Sequence, residues 1–331
     1  MPISTPLMKR LGIRYPIILG AMDLVADARL TRTVSKEGGF GILGAGYGDH
    51  AWLERELSIL EGFQQSEGLK YGVGFITWSL AQQPRLLDRA LAAKPKLVWL
   101  SFGDPAPFVD KIKASGALVL CQIQTVAMAT DAVNKGADIV VAQGSEAGGH
   151  GISRGTISLV PAVADAVGHK ASVAAAGGIA DGRGLAAALL LGAESVVLGT
   201  RFYASDESAG FPEAKRRIAA ASGEDTVRSI VFDVSKQKVW PAPYTARCLL
   251  NDHARKWVGR EIELLRNADE EAPAYANARA TGNFDVAAII AGEASGLIHQ
   301  VLPAGAIMRQ MSEEAERIME GMSRKMLSNA A

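Results

Sequence analysis

Cysteine is nearly absent. Cys121 and Cys248 are the only two, too few for a disulfide framework and without the paired spacing of a zinc site. That scarcity fits a reducing cytoplasm. Histidine is scarce as well, at five residues. No sign of charge prevails: 35 basic side chains balance 35 acidic ones. The balance excludes the basic stripe that nucleic acid or an anionic membrane surface requires, and it sets up no repulsion against a homodimer. Long hydrophobic runs are missing too. The greasiest stretch, "LAAALLLGAESVVLG", is broken by Glu194, and the apolar stretch near the start is interrupted by Arg14, Pro16 and Asp23. Neither a signal peptide nor a membrane span is expected. What remains is a cytoplasmic protein working on small molecules.

The 331 residues are 48% hydrophobic and 21% charged, enough to bury a large core. Eight short apolar runs recur: "PIIL" (16–19), "GIL" (41–43), "YGVGFI" (71–76), "LVWL" (97–100), "ALVLC" (117–121), "DIVVA" (138–142), "SVAAA" (172–176) and "SVVLG" (195–199). They lack polar alternation, so each is expected to be a strand buried on both faces, as in a parallel sheet covered by helices. Between them lie stretches of helical spacing ending near glycine, such as "ARLTRTVSKEG" and "DGRGLAAALLLGA". A weak repeat relates "KGADIVVAQG" to "LGAESVVLGT". Eight βα units predict a (β/α)₈ barrel, with an open doubly wound sheet as the alternative. In a barrel, chemistry belongs to the loops after the strands.

Beyond about residue 205 the pattern changes to charged helical stretches and then to "VWPAPYTARCLLNDH" (239–253), whose aromatics and two prolines suit a loop or lid. The expected organisation is a barrel over 1–212, a mainly helical substrate or lid region over 213–302, and a closing helix over 303–331. That last helix has Ile307, Met311, Ile318 and Met322 among its apolar positions, as a helix packed back on the body would.

Four glycine-rich segments are candidates for the chemistry. "GFGILG" (39–44) satisfies G-x-G-x-x-G, but its apolar core is the strand itself, whereas a dinucleotide fingerprint follows a strand and opens a helix. Gly39 is read instead as ending a helix. "AAGGIADGRG" (175–184) and "VLGTRF" (197–202) place glycine after the seventh and eighth strands, where barrels bind phosphate through backbone N–H groups. Glycine also punctuates ordinary αβ turns, so that alternative stays open. "AQGSEAGGHG" (142–151) follows the sixth strand and sets His150 over the barrel mouth. A general base suits His because its pKa lies near neutrality, yet by spacing alone His150 serves equally as a structural residue. The glycines before it would let backbone approach a flat ring closely. A zinc site from Glu146 and His150 is disfavoured because the glycines oppose a helix and no second His follows, and "GSEAG" is no nucleophile elbow. His50, His169, His253 and His299 are read as structural or surface residues.

From "LGIRYPIILGAM" through "AQGSEAGGHG" and "AAGGIADGRGLAAALLLGAESVVLGTRF" to "GEASGLI", about nine tenths of its length, the chain resembles the nitronate monooxygenases, formerly called 2-nitropropane dioxygenases, which are FMN-dependent (β/α)₈ barrels. The resemblance implies His150 as the base that removes the proton α to a nitro group. It implies FMN contacts at Ala21, Met22, Gly74, Gln122, Gln143 and Gly148, with phosphate-binding loops at Gly177, Gly178, Val197, Leu198, Gly199 and Thr200. Gly74 stands where many relatives carry an Asn. The implied reaction takes a nitronate or nitroalkane and O₂ to a carbonyl compound and nitrite. Trp240 and Tyr244 are substrate candidates by composition only and are read as packing residues of the lid.

Rivals remain. Flavin-dependent enoyl-acyl-carrier-protein reductases share "EAGGH" and "AAGGIADG", and some quinone reductases do so more loosely; either would consume NAD(P)H. A non-catalytic flavin-binding barrel is the rival of another class.

Overall fold

The computed structural model describes residues 2–327, with side chains described as far as Gly321, so the side chain of Met322 and residues 328–331 lie outside the described residues. The strands, in chain order, are β1 (Ile17–Leu19), β2 (Gly41–Gly46), β3 (Tyr71–Ile76), β4 (Leu97–Ser101), β5 (Leu118–Ile123), β6 (Ile139–Gln143), β7 (Gly149–Gly151), β8 (Ser172–Ala176), β9 (Ser195–Leu198), β10 (Thr226–Ser229) and β11 (Thr245–Leu249).

Eight of these pair in parallel in the order β1-β9-β8-β6-β5-β4-β3-β2, and a bridge between Ile18 and Phe40 joins the two ends. All eight strands expected from the apolar runs are present, and the ring closes as a (β/α)₈ barrel rather than an open sheet. The reason for the absent polar alternation is visible in the packing. Ile18, Ile42, Trp99, Leu120, Val141 and Val197 fill the interior, while Ile17, Leu19, Leu43, Val98, Val140 and Val196 meet the surrounding helices. Leu7 and Leu11, from the helix Pro6–Leu11, join the interior cluster.

The first helix after β1, Ala28–Lys36, is capped by Asp27, whose side chain accepts from Leu30 N. It ends at Lys36, and Gly38, the last residue of "ARLTRTVSKEG", takes the positive φ of +105°, while Gly39, read above as ending the helix, does not. The long helix Ala304–Leu327 buries Ile307, Met308 and Met311 against the barrel's outer layer, and Glu314 accepts a hydrogen bond from Gly182 N at 2.7 Å. Among the described residues no helix is long and apolar enough to cross a membrane.

The region after the barrel departs from expectation. It is mainly helical, but it also contributes β10 and β11, and β11 lies inside the stretch read as loop or lid. The two pair antiparallel, and β11 pairs in turn with β7, which belongs to the loop after β6, with Ala246 opposite His150. A three-residue strand such as "GHG" has no sequence signal of its own, because its partner lies some ninety residues away.

Glycines at Gly44 and Gly74 make room at the barrel mouth. A Cβ on Gly44 would collide with the Met22 carbonyl, and one on Gly74 with the Cβ of Ala21. The segment leaving β1 therefore lies across the strand ends of β2 and β3. Gly44→Ala should destabilise the barrel by about 1–3 kcal/mol, as overpacking against backbone does, measured as a lowered midpoint in urea; an unchanged midpoint would show that this segment is free to move aside.

Candidate active site

A cavity of about 630 Å³ opens over the C-terminal ends of the barrel strands and runs under the appended region. Its size falls in the range of cofactor and small-molecule clefts, roughly 300–1,000 Å³. Of the residues expected at the site, His150, Ala21, Met22, Gly74, Gln122, Gln143, Gly148, Gly177, Gly178, Val197, Gly199 and Thr200 all line it. Leu198 does not. Its side chain packs in the layer between strands and helices, and its carbonyl accepts from Gly20 N at 2.9 Å, so it registers the exit of β1.

The floor is polar in one place. Trp99 Nε1 donates to Ser101 Oγ (2.6 Å), which donates to Gln122 Oε1 (3.3 Å). Gln122 Nε2 and Gln124 Nε2 both donate to Gln143 Oε1, at 2.6 and 2.8 Å. Two donors on that oxygen fix the amide orientation and leave the Gln143 NH₂ available to a ligand.

The phosphate-type cradle is physically plausible on its own geometry. Gly177 and Gly178 adopt φ +105° and +72°. A Cβ built on Gly199 meets nothing closer than Met22 Sδ at 3.9 Å, so any side chain there would enter the cavity. The helix Thr200–Tyr203 starts immediately after, and its first-turn amides have no partner within the helix. Bare backbone, free N–H groups and the Gln143 donor together fit a flavin nucleotide, with Gly178, Gly199 and Thr200 able to hold its phosphate.

The bare backbone before His150 serves a structural purpose as well as lining the cavity. A Cβ on Gly148 would lie 2.7 Å from Ala291 C and Gly292 N, so on this side backbone meets backbone. Glu293 N donates to Glu146 O (2.9 Å), and Gly292 N donates to Thr200 Oγ1 (2.9 Å). The "AGE" of residues 291–293 thereby ties the β6 loop to the β9 loop. Glu146 is structural at its tip: it accepts from Thr156 N and Thr156 Oγ1, capping the helix Thr156–Val167. Among the described residues no cluster of His, Cys, Asp and Glu could hold a metal ion.

Two arginines clamp the same loop. Arg228 Nη2 donates to Ser145 O (2.9 Å) and Ala147 O (3.2 Å), and Arg247 Nε donates to Ser145 O (3.0 Å) while pairing with Glu293 at 2.8 Å. Burial, with the charge of Arg247 beside it, pulls Arg228 down to about 10.

His150 is 7% exposed, and its Nε2 lies 2.9 Å from Oδ2 of Asp233, which is 3% exposed. Trp240 stacks on the imidazole at 3.3 Å between centroids and 9° between planes, and Phe102 meets it edge-on at 6.1 Å. Trp240 Nε1 donates to Tyr47 Oη at 2.8 Å, which anchors the indole. Burial pushes the His150 pKa below its ordinary value of 6.5, and the Asp233 hydrogen bond opposes that shift. A ring that is neutral near pH 7 and already paired at Nε2 can accept a proton at Nδ1. Lys236, Lys238 and Arg279 also line the cavity. Burial raises the pKa of neighbouring Asp23, against the charges of Lys236 and Arg279.

Composition put Trp240 forward but favoured a packing role; the structure makes it the roof over His150. Tyr244 does pack, edge-on to Phe102 at 5.1 Å and outside the cavity lining. Asp233, Lys236 and Arg228 were not found in the sequence, since "VFDVSK" and "VRS" match no motif. Of the other histidines, His50, His169 and His299 are exposed, and His253 is buried against Ser235 Oγ at 2.7 Å.

Parallel barrels place catalytic groups at this end of the strands, and a buried histidine, an amide donor and a glycine cradle share one cavity there, the arrangement of an enzyme of small molecules. The chain belongs to the nitronate monooxygenase family, whose model matches residues 65–314. A nitronate monooxygenase of Neurospora crassa is 34% identical, with 92% of this chain and 90% of that protein aligned. FabK of Thermotoga maritima superposes with a TM-score of 0.85 at 31% identity, covering 97% of this chain and 98% of that one. The nitroalkane oxidase of Streptomyces ansochromogenes does so with a TM-score of 0.79 at 26% identity, covering 96% and 99%.

Trp240→Ala should raise the pKa of His150 toward 6.5, because burial is the main cause of its depression. The lost indole face, worth about 0.5–1 kcal/mol to an adjacent cation, limits the rise. An NMR titration of the imidazole measures it, and an unmoved midpoint would show that other groups keep the ring dry.

Proposed function

We propose that this protein oxidises alkyl nitronates with bound FMN and O₂, yielding a carbonyl compound and nitrite, and that His150 is the base that extends the reaction to neutral nitroalkanes. The observation that carries the reading is His150 itself: buried, kept neutral, paired at one nitrogen, and set in the cavity that also holds the glycine cradle.

FMN would be held at its phosphate by Gly177, Gly178, Gly199 and Thr200, and at its ring by Ala21, Met22, Gly74, Gln122, Gln143 and Gly148. When bound, it supplies the redox chemistry, taking electrons from the substrate and passing them to oxygen. The chain's own share is orientation and proton transfer. Removing the proton α to a nitro group leaves an anion, and the positive charges of Lys236 and Arg279 favour an anion in this cavity. Phe102 and Trp240 keep water from the imidazole, which strengthens every charge interaction there. In this reading residues 1–212 carry the cofactor and residues 213–302 cover the substrate.

Anaerobic mixing with ethyl nitronate should bleach the flavin absorbance, and admitting air should restore it with release of nitrite. Bleaching by NADPH or NADH alone would instead establish a nicotinamide-dependent reductase. His150→Asn should lower kcat/KM for nitroethane by about 10²–10⁴-fold, the usual contribution of a positioned base, while sparing the already deprotonated nitronate. Unchanged turnover of nitroethane would remove His150 from the mechanism.

A further inference from the structure

Asp233 presents a problem of its own. It is 3% exposed, one carboxylate oxygen is bound only by His150 Nε2, and the other, Oδ1, has no hydrogen-bond partner among the described residues. A carboxylate desolvated this far costs several kcal/mol unless its oxygens are satisfied, so an ion pair kept for stability would be expected to use both. A group left half-satisfied beside a base calls for a chemical explanation.

We propose that Asp233 is the positioning residue of the His150 base, holding the Nε2–H so that Nδ1 is the proton acceptor and stabilising the imidazolium once it forms. The proposal rests on the reading of His150 as a base. The α-C–H bond of the nitroalkane breaks, an N–H bond forms at Nδ1, and the electron pair remains on the substrate as the nitronate. Asp233 belongs to the short helix Val231–Ser235 of the appended region, 83 residues from His150 in sequence. Lys236 and Arg228 act on the imidazole as opposing positive charges, while Tyr47, Cys248 and Tyr275 are the titratable groups that feel the Asp233 charge. All three of those are held protonated by burial, so Asp233 is the negative charge bonded to the ring.

The test uses flavin-loaded protein labelled with ¹⁵N-histidine, the His150 signal being identified by its loss in His150→Asn. In the unchanged protein the neutral ring should carry its proton on Nε2. Asp233→Asn should lower the titration midpoint of His150 and cut kcat/KM for nitroethane by about 10²–10⁴-fold, with ethyl nitronate oxidised at the wild-type rate. Asp233→Glu, which keeps the charge, should recover part of both losses. An unchanged titration in Asp233→Asn, or an equal fall in nitroethane and nitronate turnover, overturns the assignment. The functional reading fails differently: the unchanged protein would then show no bleaching by either nitro compound, while the imidazole titration would still decide whether Asp233 governs the ring.

Discussion

The antiparallel pairing of β7 with β11 is the contact on which the rest of the site depends. Three residues, "GHG", leave the barrel as a loop and are taken up by a sheet whose other two strands come from the appended region. A three-residue strand is not stable alone. It is held by Arg228 and Arg247, which bind the carbonyls of Ser145 and Ala147 just before it, and by the backbone contact of Gly148 with residues 291–292. The position of His150 is thereby fixed by parts of the chain that follow it by eighty to one hundred and forty residues. The barrel alone supplies the loop but not its conformation.

Two opposing effects act on the imidazole. Burial beneath Trp240 and beside Phe102 disfavours the charged ring, whereas the Asp233 carboxylate favours it, and burial is the larger. The outcome is a ring neutral enough to take a proton and partnered well enough to keep it. Either effect alone would serve poorly: a ring buried without a partner would release the proton too readily, and an exposed ring paired with carboxylate would be charged before substrate arrived. The sign also bears on stability. A His whose pKa is depressed in the folded state binds fewer protons there than when unfolded, so acidification below about 6.5 favours the unfolded chain. His253, likewise depressed by burial, adds to the same trend.

Much of the barrel was legible because its signals are local. Eight apolar runs, each bounded by glycine or a helix cap, give eight strands, and the glycines of "AAGG" and "VLGT" lie at the strand ends where backbone must face a ligand. The same logic set His150 over the barrel mouth, whereas Gln143 came from the family resemblance. It stopped at residue 205. Asp233 sits in "VFDVSK" with no motif about it, because a partner for a histidine needs only to arrive at the right nitrogen, and arrival is decided by tertiary folding. Composition likewise cannot tell an indole that packs within a lid from one that stacks on His150, as Trp240 does. Within the run 197–200 the side chains divide, because alternate residues of a strand face opposite ways: Val197 faces the interior and Leu198 the surrounding helices.

The division of labour follows from the geometry of barrels. The strand ends nearest the cavity offer glycine, alanine, aromatic and neutral amide or hydroxyl groups, and no charged side chain. Acid–base groups must therefore come from loops long enough to reach over the mouth, and the β6 loop supplies the histidine. The barrel floor is already committed to neutral groups, since Gln122 and Gln124 both donate to Gln143 Oε1. The carboxylate bonded to the imidazole comes instead from a helix of the appended region. The same region brings Lys236 and Arg279, so the element that closes the cavity also sets the sign of its field. The appended region also packs beside the glycine cradle, since Leu249 and Ala278 share a buried cluster with Ala180, Tyr203 and Ala204.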